Sequence, residues 1–226
     1  MTADGVAKLL DGIAHLIGAF IWPVGIVAVL FLFAEPIKEF LASLTEFSFK
    51  GAGFEASAKR KTEVAAALGA AIAKQQDQHP ETIAQQTRLV GEIVDSVSPR
   101  SVREAKKATI LWVDDHPTNN LNERRALEAL GVTFVLATST EEALDQIQKQ
   151  PLQLIISDLG RPRDSMAGLT LLDKLRAIGN KTPFIIYAGS RGLTIIDEAK
   201  RKGAFGVTNR PDDLFKLVIS VIGQQQ

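Results

Sequence analysis

Ile110-Leu111-Trp112-Val113-Asp114-Asp115 decides the reading of this chain. An apolar run of strand length ends in two acids, and a second run, Leu154-Ile155-Ile156-Ser157, ends in a third, Asp158. If the two runs are parallel strands, their carboxyl ends lie side by side, at the edge where open α/β sheets carry their sites. Three carboxylates then converge on one hard cation.

The rest of the C-terminal half agrees. Apolar runs rich in Val, Ile and Phe alternate with stretches of helical period. Strands are expected near 109–113, 132–137, 153–157, 183–187 and 204–208, and helices near 119–130, 140–149, 168–178, 192–202 and 212–222. Gly131, Gly179 and Gly203 follow helical segments, and Thr140 with Glu141 and Glu142 opens one. Repeated βα units of this length predict an α/β fold with a five-stranded, parallel, doubly wound sheet.

These residues resemble the receiver domain of two-component response regulators, over about residues 107 to 222. Ile110 to Asn120 is similar to that family's first strand, acidic pair and entry to the first helix. Ser157-Asp158-Leu159-Gly160-Arg161-Pro162 resembles the phospho-acceptor strand end, whose usual continuation is Asp-x-x-Met-Pro. Lys181 to Gly189 resembles the fourth strand, and Gly203 to Pro211 the fifth with its Lys-Pro ending. The resemblance implies a flavodoxin-like domain in which Asp114, Asp115 and Asp158 hold Mg²⁺, and in which Asp158 takes a phosphoryl group from a histidine kinase or another signalling protein. Taken singly, an acid at a strand end is more often a helix cap or a solvated turn residue; three at matched ends favour the site.

The departures from the family fall on its switch residues. A Thr or Ser after the fourth strand and a Lys after the fifth contact the phosphoryl oxygens in the family; here those positions are Ala188 and Arg210. Ser190 offers a hydroxyl only if its loop shifts, and Arg210 keeps the charge as a planar fork rather than a compact ammonium. A two-residue excess before Gly168 brings Arg161 and Arg163 close to Asp158, where they either bind an anion or neutralise the acids.

The N-terminal half belongs to a different regime. Gly12 to Ala34 carries no formal charge and only His15 as an ionisable group, and at about 1.5 Å per residue it is long enough for a hydrocarbon core of about 30 Å. A single transmembrane helix within residues 1–34 is therefore expected. A buried soluble helix or a cleaved signal peptide fits less well, because the apolar run exceeds a signal peptide's apolar region and little positive charge precedes it. Lys38, Lys50, Lys59, Arg60 and Lys61 after the run outnumber Lys8 before it, which places the C-terminal side in the cytoplasm of a bacterial inner membrane. Pro23 is tolerable in such a helix, and Ala14 with Gly18 forms a small-xxx-small pair.

Residues 35–106 read as a connector between this segment and a domain at 107–226. Ile37, Phe40, Leu41 and Leu44 continue an amphipathic helix, and Phe47 to Ala56 reads as a short hairpin about a glycine turn. Val64, Leu68 and Ile72 form one helical stripe, and Ile83, Val90 and Val97 recur at seven-residue spacing beyond Pro80. Those stripes predict either a homo-oligomer assembled through the connector or helices lying on the domain of the same chain. Neither His79 nor His116 has the sequence partners of a metal site.

Composition excludes other roles. Lys plus Arg and Asp plus Glu are both 26, and no basic recognition helix or aromatic-rich basic patch is present, so nucleic acid is not an expected partner. There is no cysteine, no Gly-rich phosphate loop and no Ser-His-Asp order. The expected role is a membrane-anchored, receiver-like signalling module. The competing readings are a membrane effector whose non-phosphorylated domain senses a ligand or partner, and an enzyme on a related scaffold; fold alone does not separate them.

Overall fold

The computed structural model describes residues 55–74, 83–189 and 195–224. The chain divides between Ala56 and Ser57, and the fold below is that of Ser57–Gln226. The expected transmembrane run at 12–34, most of the expected hairpin, the break at Pro80 and Ser190 lie outside the described residues. Among the described residues no helix is long and apolar enough to cross a membrane. Glu55 and Ala56, read from sequence as the end of the hairpin, are instead helical.

Helix α1 covers residues 55–74; α2 (Ile83–Ser96) and α3 (Pro99–Ala105) follow. Five βα units then run β1 (Thr109–Val113), α4 (Leu121–Glu128), β2 (Thr133–Ala137), α5 (Thr140–Lys149), β3 (Leu154–Ser157), α6 (Ala167–Ala177), β4 (Phe184–Tyr187), α7 (Ile196–Arg201), β5 (Gly206–Thr208) and α8 (Pro211–Gln224). All pairings are parallel, in the order β2-β1-β3-β4-β5. The expected α4 begins as a short 3-10 turn, Pro117–Asn120, because Pro117 supplies no N–H there.

The strands are continuous apolar runs because both faces of the sheet are covered. Ile110 and Trp112 point to one core and Leu111 and Val113 to the other, as the two-residue period of a strand requires. Local signals hold the connections. The Ser139 side chain caps α5 by accepting from the Glu142 N–H, and the Glu142 carboxylate accepts from the Thr138 N–H and hydroxyl. Gly131, Gly179 and Gly203 all take positive φ just past helices, where a side chain would be strained.

The two stripes before the sheet find their partner inside the chain. Val64, Leu68 and Ile72 of α1 and Val90, Ile93 and Val94 of α2 are buried in one core with Trp112, Ala126, Leu214 and Val218. Lys61 and Asp95 tie the two helices together at 2.8 Å. Of the two readings left open by the sequence, helices lying on the same chain's domain match this packing. The Val64-Leu68-Ile72 stripe and Val90 are covered in this way, while the hairpin that also motivated a homo-oligomer lies outside the described residues. Ile83 is helical, but its side chain lies outside the described set.

Because Leu68 is almost fully buried, Leu68→Ala is expected to lower the unfolding free energy by about 2–5 kcal/mol in urea titrations of the full chain. A loss below about 0.5 kcal/mol, the level of a surface substitution, would show that α1 is not part of this core.

Candidate functional site

Register places the acids. Val113 pairs with Ser157 across β1 and β3, so Asp114, Asp115 and Asp158 leave adjacent strands at the same edge. They line one open cleft of about 750 Å³ together with Asn120, Arg161 and Ala188. The three carboxylates predicted from sequence are thus brought together.

Each is held differently. Asp114 is buried, accepts the His116 backbone N–H at 2.6 Å through Oδ1, and accepts Asn120 Nδ2 through Oδ2. Asp115 is partly exposed and faces the His116 imidazole, Nδ1 to Oδ2, at 3.0 Å. Ligand atoms of Asp114, Asp115 and His116 all lie within 4.8 Å of one another. Sequence reading set His116 aside as a ligand; the turn after β1 folds it back beside its acidic neighbours. Asp158 is mostly buried, and its Oδ1 meets Nε of Arg161 at 2.9 Å. That contact is an ion pair without the alignment of a hydrogen bond, and neither atom has a hydrogen-bond partner among the described residues.

Burial pushes the Asp158 carboxyl up to about 7; the Arg161 charge opposes the rise, while Asp114 and Asp115 add to it. Two features fix the backbone at Asp158. A Cβ on Gly168 would lie 2.3 Å from the Asp158 carbonyl oxygen, so only glycine lets α6 approach so closely. The Gly168 N–H donates to the Leu159 carbonyl at 2.9 Å. The two-residue excess before Gly168 is taken up by a tight turn: Arg161 and Asp164 exchange both backbone hydrogen bonds. Asp164 then accepts from the Met166 N–H and the Thr170 hydroxyl, which holds its carboxyl below the usual range.

Ala188 lines the cleft and offers no hydroxyl. Arg210 does not line it: its Nε donates to Asp212 at 3.0 Å and lies 3.8 Å from Asp213, in the first turn of α8. Beside the cleft, sequence reasoning missed a buried pair. The Tyr187 hydroxyl donates to Glu123 Oε1 at 3.0 Å, and burial raises the Glu123 carboxyl. Nothing in a charged stretch of α4 signals that Glu123 faces inward. Lys74, at the end of α1, donates to the carbonyl of Asn119 on the cleft rim at 2.6 Å.

The model of the response regulator receiver domain family matches residues 110–221. Those residues form a receiver domain. Over 120 residues the chain is 29% identical to a probable chemotaxis protein CheY of Rhizobium etli, covering 52% of this chain and 92% of that protein. It is 34% identical over 90 residues to the sensor protein EvgS of Escherichia coli K12, covering 40% of this chain but only 7% of that protein's length. Among solved structures, the chemotaxis response regulator CheY4 of Vibrio cholerae aligns with a TM-score of 0.44 and 27% identity, over 50% of this chain and 98% of that one.

The raised carboxyl of Asp158 sets a pH dependence. A carboxyl with a folded pKa above its unfolded value favours the folded receiver domain only while protonated. That contribution is complete below the ordinary value of 3.8 and is lost as pH rises through about 7. Glu123 has the same sign, so the comparison must be with Asp158→Asn. Without metal, the wild type is expected to lose stability relative to Asp158→Asn between about pH 4 and 7, with a slope below about 1.4 kcal/mol per pH unit. Parallel stability profiles of the two proteins would refute the assignment.

Proposed function

We propose that the receiver domain is a phosphoryl-accepting signalling module with Asp158 as acceptor. The convergence of Asp114, Asp115 and Asp158 at the ends of neighbouring parallel strands carries this reading. The donor set suits Mg²⁺: carboxylate oxygens predominate, and Asp115 lines the cleft with the exposed His116 imidazole beside it. Asp114 and Asp115 would hold the ion, with Asp158 completing the set. When bound, Mg²⁺ offsets negative charge on the transferring oxygens.

The chain's own residues supply the rest. Oδ1 of Asp158 is buried against Arg161, which leaves Oδ2 as the oxygen that meets the cleft. In the transfer, Oδ2 forms a bond to phosphorus, the bond from phosphorus to the donor's nitrogen or oxygen breaks, and the donor departs with that electron pair. A histidine kinase or another signalling protein is the proposed donor partner. Ala188 supplies no hydroxyl to contact the transferred group.

A small phosphodonor such as acetyl phosphate, given with Mg²⁺, is expected to add one phosphoryl group to the wild type and none to Asp158→Asn. Intact-protein mass spectrometry reads this directly, and no adduct at saturating donor would overturn the reading.

We further propose that the module is anchored by a single membrane span within residues 12–34, with the receiver domain in the cytoplasm. The uncharged run and the excess of Lys and Arg after it support this. A reporter fused after Gln226 is expected to show cytoplasmic activity, and periplasmic activity would reverse the orientation.

A further inference from the structure

Arg161 occupies the place where the sequence pattern of this strand end would put methionine, yet its side chain is only 7% exposed. It is held on three sides. Nη1 donates to the Thr140 hydroxyl at 2.8 Å, Nη2 donates to the Ser157 hydroxyl at 2.7 Å, and Nε faces Asp158 Oδ1 at 2.9 Å. Ser157 is fully buried and Thr140 nearly so. The planar fork therefore bridges the end of β3 and the start of α5 in one orientation, with little freedom left to lose. A backbone turn onto Asp164 fixes the residue from behind. Another cation near this edge of the sheet, Arg210, is drawn to Asp212 and Asp213.

We propose that Arg161 is the resident counter-cation of the acceptor site: it fixes one carboxylate oxygen of Asp158, competes with a divalent ion for the acidic cluster, and faces the phosphoryl oxygens in place of Arg210. This rests on the acceptor reading above. Arg161 is a positioning residue toward Asp158 and becomes a contact residue only for the transferred group. A buried cation beside three acids offsets part of their mutual repulsion, so a metal entering the cleft meets positive charge already in place. Once the acceptor carries a phosphoryl group, the same guanidinium gains a second anionic partner and forms charge-assisted contacts with it.

The two effects have opposite signs, which a merely structural role would not produce. Calorimetric titration of the full chain with Mg²⁺ alone, and then with beryllofluoride at saturating Mg²⁺, separates them. Arg161→Met is expected to bind Mg²⁺ about threefold or more tightly than wild type, because a competing cation is gone. It is expected to bind beryllofluoride about tenfold more weakly, having lost a charge-assisted contact. Arg210→Gln should leave both affinities near wild type. Unchanged Mg²⁺ or beryllofluoride affinity in Arg161→Met, or the same split in Arg210→Gln, would overturn the proposal. If the wild type itself fails to bind beryllofluoride, the acceptor reading falls, and the Mg²⁺ titration alone decides whether Arg161 serves the cluster. Should Arg161→Met not fold, Arg161→Gln is read in the same way, since it keeps a donor for Asp158 without the charge.

Discussion

Three carboxylates sharing one half-buried cleft cannot all remain ionised without positive charge nearby, and much of the receiver domain's local structure answers that constraint. The parallel register of β1 and β3 creates the problem by bringing Asp114, Asp115 and Asp158 to one edge. Asp114 is met by the His116 N–H and the Asn120 amide, and Asp115 by the His116 ring. Asp158 is the most deeply affected, because its burial outweighs the attraction of Arg161 and leaves it titrating near neutrality. A divalent cation would relieve the same repulsion.

Packing beneath the cleft is continuous with the helices that precede the sheet. Trp112 on β1 stands edge-on to Phe134 and Tyr187, at 5.8 and 6.0 Å between ring centroids, with the Arg124 guanidinium 5.9 Å from its ring. The same core takes in Leu68 of α1, Val90 of α2 and Val218 of α8. Lys74 carries α1 to the rim of the cleft at Asn119. The helical layer is thus a structural part of this unit, joined both to its apolar interior and to the loop that positions Asn120 on Asp114.

How much of the site could be read in advance differs by residue. The strand-end acids were legible because strand length and apolar runs are local properties that repeat along the chain. The Arg161 neighbourhood was visible only as proximity in sequence; its grip on Thr140, twenty-one residues away, needed α5 to start beside the end of β3. His116 was set aside for want of metal-site partners in the sequence, and the turn after β1 brings it beside Asp114 and Asp115. Glu123 and Tyr187 lie sixty-four residues apart and meet only in the folded domain, which no local pattern encodes.

By itself, the order of apolar runs, helical stretches and glycines determined an α/β domain with a parallel sheet and the edge at which its acids stand. Those features follow from backbone periodicity and from the burial of both sheet faces. Tertiary structure decided where charge and apolar surface are satisfied. It turned Arg210 toward Asp212 rather than the cleft, set Arg161 against Asp158, and covered the Val64-Leu68-Ile72 stripe with the chain's own core. The physical reason is that a side chain's partner depends on which elements lie across from it, and that arrangement exists only once the layers have packed.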